Sequence, residues 1–539
     1  MKWEKPGTIP RENPLYLVLI IANILVVTFL AVVATVSTIM GGDVIQGELA
    51  LSDNNATWLT TLNLLGINSI VPASSWFGDR FGYKTMLAFG IAVFAVASLL
   101  AATSVNFVML GSARFLEGIG SGFIFPIGLA IITQNLSPQK LSLGLILYVM
   151  TAFGAGFAIG LPLSGYLTQF ASWRDIFVII VVISLIAFIS IWMIQEDTPR
   201  KKTSRFDYFG YIFFALFIST LLIALTYGPM LSTNEGWTSP FILGCFFIAF
   251  VSFILTICIE SKHEAPILPL GLFRYPIYAT TCVAMFLLGM SIFASVGTMM
   301  QYMMDALKYE RFESGKIGII YGAPLAIFSV IASILIKKVH VSIVTGMGLC
   351  LLVYSYFLNN ILDWQTGPNQ ILWILLLRGV AIGLALGPAT VQALESIPKE
   401  LKNKGATILT FFRQVGGTYG GTLIAILVIK RKIFHAARFG EQANDQLPAF
   451  QVTARKLASH YNSTFFDRTG DSLALTKATI IQNLEVQAYI QAINDALFIF
   501  GWVTLIVTIL LILISILQIW RAKKDRKKQT YSHDLENAH

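Results

Sequence analysis

Fourteen apolar runs, each near the ~20 residues an α-helix needs to cross a bilayer, divide this chain of 539 residues. They fall at roughly 15–40, 57–77, 86–104, 107–134, 143–167, 176–195, 208–227, 239–259, 277–304, 315–336, 342–362, 370–394, 406–429 and 497–520. The runs are continuous rather than alternating, so they predict helices and not the strands of a barrel. Only 12% of the residues are charged, against roughly 25% in a soluble domain. A soluble enzyme or binding module is thereby excluded. The expected fold class is an all-α polytopic membrane protein of two six-helix bundles with two extra central helices.

The lysines and arginines set the expected orientation. With the N-terminus inside, the inner segments carry 23 of them and the short outer loops carry four: Arg174, Lys308, Arg311 and Lys316. An even number of spans returns the C-terminus to the same side, where the segment 521–528 is strongly basic. The expectation is a multi-pass protein of the inner (cytoplasmic) membrane with both termini cytoplasmic. The net charge of +9 is then a consequence of topology, and nucleic acid is not an expected partner; the lipid bilayer is. The first run is too long for a secretory h-region and lacks a small-x-small cleavage site, so it reads as an uncleaved helix. Cys245, Cys258, Cys282 and Cys350 all fall inside runs and read as small apolar residues rather than a disulfide framework. The six histidines show no ligand spacing, so no metal site and no cofactor are expected.

The 55 residues between Lys84 and Lys140 contain two charged side chains, Arg114 and Glu117. A charge at bilayer depth costs ~2.5–3.5 kcal/mol or more, and residues three apart share a helix face. The pair is expected to look into one cavity, either as a structural brace or as part of a transport or proton path. Arg378 and Arg413 are two further embedded cations, open to the same two readings. Asp43 lies at the outer end of the first run.

The polar stretch after residue 196 and a second hinge at 260–269 suggest the organisation. A first bundle occupies 1–196, a two-helix insertion with its linkers 197–265, and the helices of a second bundle 266–429. A long polar outer loop is expected over 430–496, a last span over 497–520 and a basic tail over 521–539. Asn462-Ser463-Thr464 in that loop is a glycosylation-type acceptor. Segments 114–126 and 377–388, each ending in a proline after small residues, form a weak internal repeat that suits a transporter with its site between two halves.

Three segments carry a family resemblance. SWFGDRFGYK (75–84) resembles the loop motif between helices two and three of the major facilitator superfamily, with Asp79, Arg80, Gly82 and Lys84 in register. Ser75 replaces its first glycine and Tyr83 an arginine. RFLEGIGSG (114–122) resembles the superfamily's helix-four motif, with Glu117 where glutamine is usual. GAGFAIGLPLSG (154–165) resembles the helix-five motif of antiporters through Gly156, Gly160, Pro162 and Gly165. With fourteen spans and FFRQVGGTYGG (411–421), the chain looks like the fourteen-helix drug:proton antiporter branch, the EmrB/QacA-like multidrug exporters.

That resemblance implies export of amphipathic or toxic small molecules, powered by a proton gradient. It also implies, in Gram-negative members, a periplasmic membrane-fusion adaptor protein as partner. It implies an inter-bundle latch at Asp79. Relatives usually carry a helix-one aspartate; here that stretch reads FLAVVATVSTIM (29–40), without a carboxylate. Glu117, with Asp43 behind it, is the expected substitute. Three embedded arginines leave a specific, anionic metabolite as an alternative substrate. A non-transporting scaffold or receptor is an alternative of another class, and a membrane enzyme is not expected.

Overall fold

The computed structural model describes residues 14–196, 206–228, 236–263, 266–267, 269–363, 366–442 and 472–536, with a few positions between 450 and 459. All regular structure among these residues is helical, as hydrocarbon requires: a helix satisfies its backbone groups within one segment. The first bundle comprises α1 (Pro14–Glu48), α2 (Asp53–Ile70) with the short α3 (Ser74–Phe81), α4 (Tyr83–Ala102), α5 (Phe107–Asn135), the pair α6 (Pro138–Val149) and α7 (Gly156–Phe170), and α8 (Trp173–Ile194). Two central helices follow, α9 (Tyr208–Tyr227) and α10 (Pro240–Glu260). The second bundle comprises α11 (Pro276–Gln301), α12 (Arg311–Gly315) running into α13 (Ile317–Leu335), α14 (Val341–Phe357), α15 (Pro368–Glu395), α16 (Lys402–Gln442) and α17 (Ser472–Glu536).

Among the described residues, twelve helices are long and apolar enough to cross a membrane, and Val341–Phe357 is a shorter apolar one. The remaining expected span, 57–77, is α2, whose many threonines and asparagines lower its hydropathy. It stops at Ile70, where Pro72 opens a single 3-10 turn (Val71–Ala73) before α3. Local sequence explains other ends. Ser52 and Asn106 cap α2 and α5 by accepting from backbone N–H groups, and Ser172 with Asp175 forms a reciprocal capping box on α8.

The described part of 430–496 differs from the expected loop. α16 runs on past 429 to Gln442, and the last helix begins at Ser472, not 497, and continues to Glu536. Polarity marks where the membrane ends, not where a helix ends. Arg431 Nε (2.5 Å) and His435 Nε2 (2.7 Å) both meet Asp495 Oδ2, which ties the two extensions together. The Asn462 acceptor lies outside the described residues.

Glycines explain how closely the bundles approach along one seam. A Cβ on Gly154 would sit 2.7 Å from Ala326 Cβ of α13, and one on Gly165 would sit 2.7 Å from the Arg311 carbonyl oxygen of α12. From the other side, a Cβ on Gly318 would meet the Phe157 carbonyl oxygen at 2.3 Å. Pro162 lies in this seam against Gly315. Gly156 and Gly160 face the other way, onto Val32 and Val33 of α1. The helix-five motif thus packs two faces of one helix at once. Along the opposite seam α2 approaches α16, and α9 packs on both.

Candidate functional site

A cavity of about 430 Å³ lies between the bundles, at the end of the molecule that carries the α1–α2 turn. The end of α1, the start of α2, the end of α9, the second half of α11 and the middle of α16 all contribute to its wall. Threonines from all five of these helices, among them Thr38, Thr61, Thr226, Thr298 and Thr422, give it a hydroxyl lining. Among the described residues the charged side chains that line it are Asp43 and Asp305. Asp43 lies 3.8 Å from the Arg311 guanidinium, and its side chain is 66% exposed, so the mouth is wet. Asp305 sits in a π-helical turn, Tyr302–Ala306, that extends α11, and accepts a 3.4 Å hydrogen bond from the Tyr489 hydroxyl of α17.

One aromatic side chain in the wall, Phe293, is backed by two more. Phe293 lines the cavity and packs edge-on against Phe153, with ring centroids 6.2 Å apart, and against Phe157 at 6.0 Å. Phe153 belongs to a second π-helical turn, Met150–Ala155, between α6 and α7. Beside the cavity, Asn68 Nδ2 of α2 donates to Thr418 Oγ1 of α16 at 2.7 Å, a polar link between the bundles.

The opposite end is closed. Asp79 is buried in α3 rather than in a loop. Its Oδ1 accepts from the Tyr83 hydroxyl at 3.1 Å, and the Asn403 side chain at the start of α16 lies beside Tyr83. Gly82, at φ +96°, makes the reversal between α3 and α4 that a side chain would strain. Lys84 is buried with its ammonium 5.8 Å from the Trp192 ring, and Arg80 is exposed. The residue that departs from the motif, Tyr83, faces Asn403 of the second bundle. A neutral hydrogen bond contributes ~0.5–1.5 kcal/mol, so loss of the Tyr83–Asn403 contact in Tyr83→Phe is expected to shift the balance of the two end-states about two- to tenfold. Transport in Tyr83→Phe and Asp79→Asn vesicles should fall several-fold at equal expression. Wild-type rates in both would make the contact incidental.

The other charged candidates sit elsewhere. Arg114 and Glu117 pair as their spacing predicts, but neither lines the cavity. Both are fully buried inside the first bundle. Ser98 Oγ donates to Glu117 at 2.9 Å; Arg114 donates to the Ala34 carbonyl oxygen at 3.1 Å and to Thr38 Oγ1 at 3.4 Å. Thr38 thus both accepts from Arg114 and lines the cavity. Arg378 donates to the Ser355 carbonyl oxygen at 3.2 Å and lies over the Tyr356 ring at 4.7 Å. Arg413 crosses to the first bundle, with its guanidinium 4.6 Å from the Phe153 ring and close to Tyr148. Sequence reading missed Asp305, Tyr83 and Phe293. Asp305 fell just past a span drawn to end at 304, and only that boundary hid it.

Comparison with known proteins follows the same lines. Residues 19–421 match the Major Facilitator Superfamily. The chain is 23% identical to the uncharacterized MFS-type transporter YhcA of Bacillus subtilis, over 96% of this chain and 95% of that protein. It is 27% identical to the multidrug transporter protein MdtP of the same organism, over 86% and 82% respectively. Among solved structures, a POT family transporter in complex with 5-aminolevulinic acid superposes with a TM-score of 0.59 at 13% identity, covering 92% of this chain and 96% of that one. At that identity the likeness is one of fold.

Proposed function

Because the chain belongs to the major facilitator superfamily, and is thus a multi-pass membrane transporter that binds small molecules, we propose that it exports drugs or other amphipathic toxic compounds across the cytoplasmic membrane in exchange for protons. The carrying observation is the cavity: about 430 Å³, within the ~300–1,000 Å³ of small-molecule sites, with an aromatic side chain in its wall and two carboxylates. The 23-to-four distribution of basic residues supports a mouth facing the outside and both termini in the cytoplasm. With the Tyr83 contact made at the inner end, this is the outward-facing arrangement of an alternating-access cycle. Relatives named as multidrug transporters support the same reading.

Asp43 and Asp305 are the groups proposed to exchange a proton for a substrate, in the place of the helix-one carboxylate this chain lacks. An anionic substrate would be favoured by arginines in the wall. Among the described residues, none of Arg114, Arg378 and Arg413 lines it, so a cationic or neutral amphipath is the better fit. An adaptor protein, where one is used, would meet the paired extensions of α16 and α17. Reconstitution tests the reading. Proteoliposomes holding the purified chain should show ethidium-dependent proton flux, and accumulate ethidium only under a pH gradient. Ethidium movement without any linked proton flux would end the antiport reading.

A further inference from the structure

Within the central pair of helices, α9 is seated against both bundles by contacts along its length. Near one end of α9, Phe214 packs against Phe411 of α16 with ring centroids 5.3 Å apart. One turn further on, the Ile218 carbonyl oxygen accepts from the Tyr419 hydroxyl of α16 at 3.1 Å. At the other end Tyr227 packs on Trp58 of α2 at 5.1 Å, and Lys430 of α16 lies 5.3 Å from the Trp237 ring, just before α10. The opposite face of the hairpin, with Phe241, Phe247 and Phe250, is exposed and apolar, as a lipid-facing surface must be. Held this way, α9 closes the seam between α2 and α16, and its residues Leu225 and Thr226 become part of the cavity wall.

Thr226 differs from its neighbours there. Thr61, Thr298, Thr418 and Thr422 each donate to the carbonyl oxygen four residues back on their own helix, and Thr38 donates to the Thr35 carbonyl oxygen. Those hydroxyls are satisfied. The Thr226 side chain is 96% buried, being 4% exposed, and among the described residues its Oγ1 has no hydrogen-bond partner. A buried hydroxyl left unpaired is costly; Thr226 lines the cavity, and a turn of its side chain toward a bound molecule would supply the partner.

We propose that the inserted hairpin is part of the substrate site, with Thr226 making a hydrogen bond to the transported molecule. Substrates that carry an amine or carbonyl on an apolar aromatic body would then be selected over those with no hydrogen-bonding group. A site built around such a bond discriminates against the analogue that lacks the partner more strongly than an apolar wall can. This inference rests on the cavity being the transport site.

Two lipophilic cations provide the test. Ethidium carries two aryl amines; tetraphenylphosphonium carries no hydrogen-bonding group. Binding to the purified full chain and uptake by proteoliposomes are measured for wild type, Thr226→Val and Thr226→Ser. Thr226→Val keeps the shape and removes the hydroxyl. It is expected to raise Kd and KM for ethidium about fivefold, the scale of one neutral hydrogen bond, with the maximal rate and all tetraphenylphosphonium constants unchanged. Thr226→Ser should return the ethidium constants to wild type. Unchanged ethidium constants in Thr226→Val, or an equal loss for both cations, would overturn the assignment while leaving the transport reading intact. Failure of the wild type to bind either cation would remove the reading itself, and the inference with it.

Discussion

Arg114→Ala is expected to leave little folded protein, because it strands a carboxylate in the interior of the first bundle. Arg114 and Glu117 are both 0% exposed, and removing one partner of a buried pair costs about 3–5 kcal/mol. The loss extends beyond the pair, since the guanidinium also satisfies the Ala34 carbonyl oxygen and Thr38 of α1. α5 and α1 would lose their polar tie together. Glu117→Gln should behave differently. Its amide oxygen still accepts from Arg114 and its NH2 can turn to Ser98, and glutamine is the residue the resembling helix-four motif usually carries. We expect Arg114→Ala to lose most of its monodisperse peak and to melt far below wild type. Glu117→Gln should purify normally, with export under a pH gradient retained. A well-folded Glu117→Gln that binds ethidium yet no longer responds to the gradient would move the proton site from the cavity to this pair, by way of Thr38.

The positions of the helices were legible in the sequence because hydrocarbon allows few alternatives: an apolar run of sufficient length has to be helical. The pairing of Arg114 with Glu117 was legible for a similar reason, since a spacing of three forces two side chains to one face. What that face meets was not legible. The helices are apolar nearly all round, so no periodic pattern separates a face toward a cavity from a face toward a neighbouring helix. That is how Arg114 came to be expected in a cavity when it lies behind Thr38. Helix ends were less legible: the expected span 57–77 ran through Pro72, where α2 has already stopped at Ile70. The end of α16 at Gln442 and the start of α17 at Ser472 carry no such mark, and both helices extend into the segment expected to be loop. The helix-five glycines were readable as packing residues, but which of them meet α1 and which meet the second bundle depends on tertiary placement alone. Tyr83 shows the limit of motif matching, because the position that breaks the pattern faces the second bundle.

Asp305→Asn is expected to abolish accumulation against a gradient while sparing exchange of substrate for substrate. Exchange needs only a binding site and a change of access; accumulation needs a group that gives up a proton as the substrate arrives and regains one after it leaves. Asparagine preserves the size of the side chain and still accepts from Tyr489, which bonds Asp305 at 3.4 Å, but it cannot carry the proton. Asp43 is placed for a lesser part. It lines the same cavity, but its side chain is largely in water and faces Arg311 at 3.8 Å, so solvent screens its charge from a substrate. Asp43→Asn alone should therefore lower the rate several-fold and keep the response to pH, whereas the double variant should match Asp305→Asn. The measurement is ethidium accumulation in proteoliposomes with and without an imposed pH gradient, beside counterflow at uniform pH. Gradient-driven accumulation at the wild-type level in the double variant would rule out both carboxylates as the coupling groups. Loss of counterflow together with accumulation in Asp305→Asn would assign that residue to holding the substrate rather than the proton.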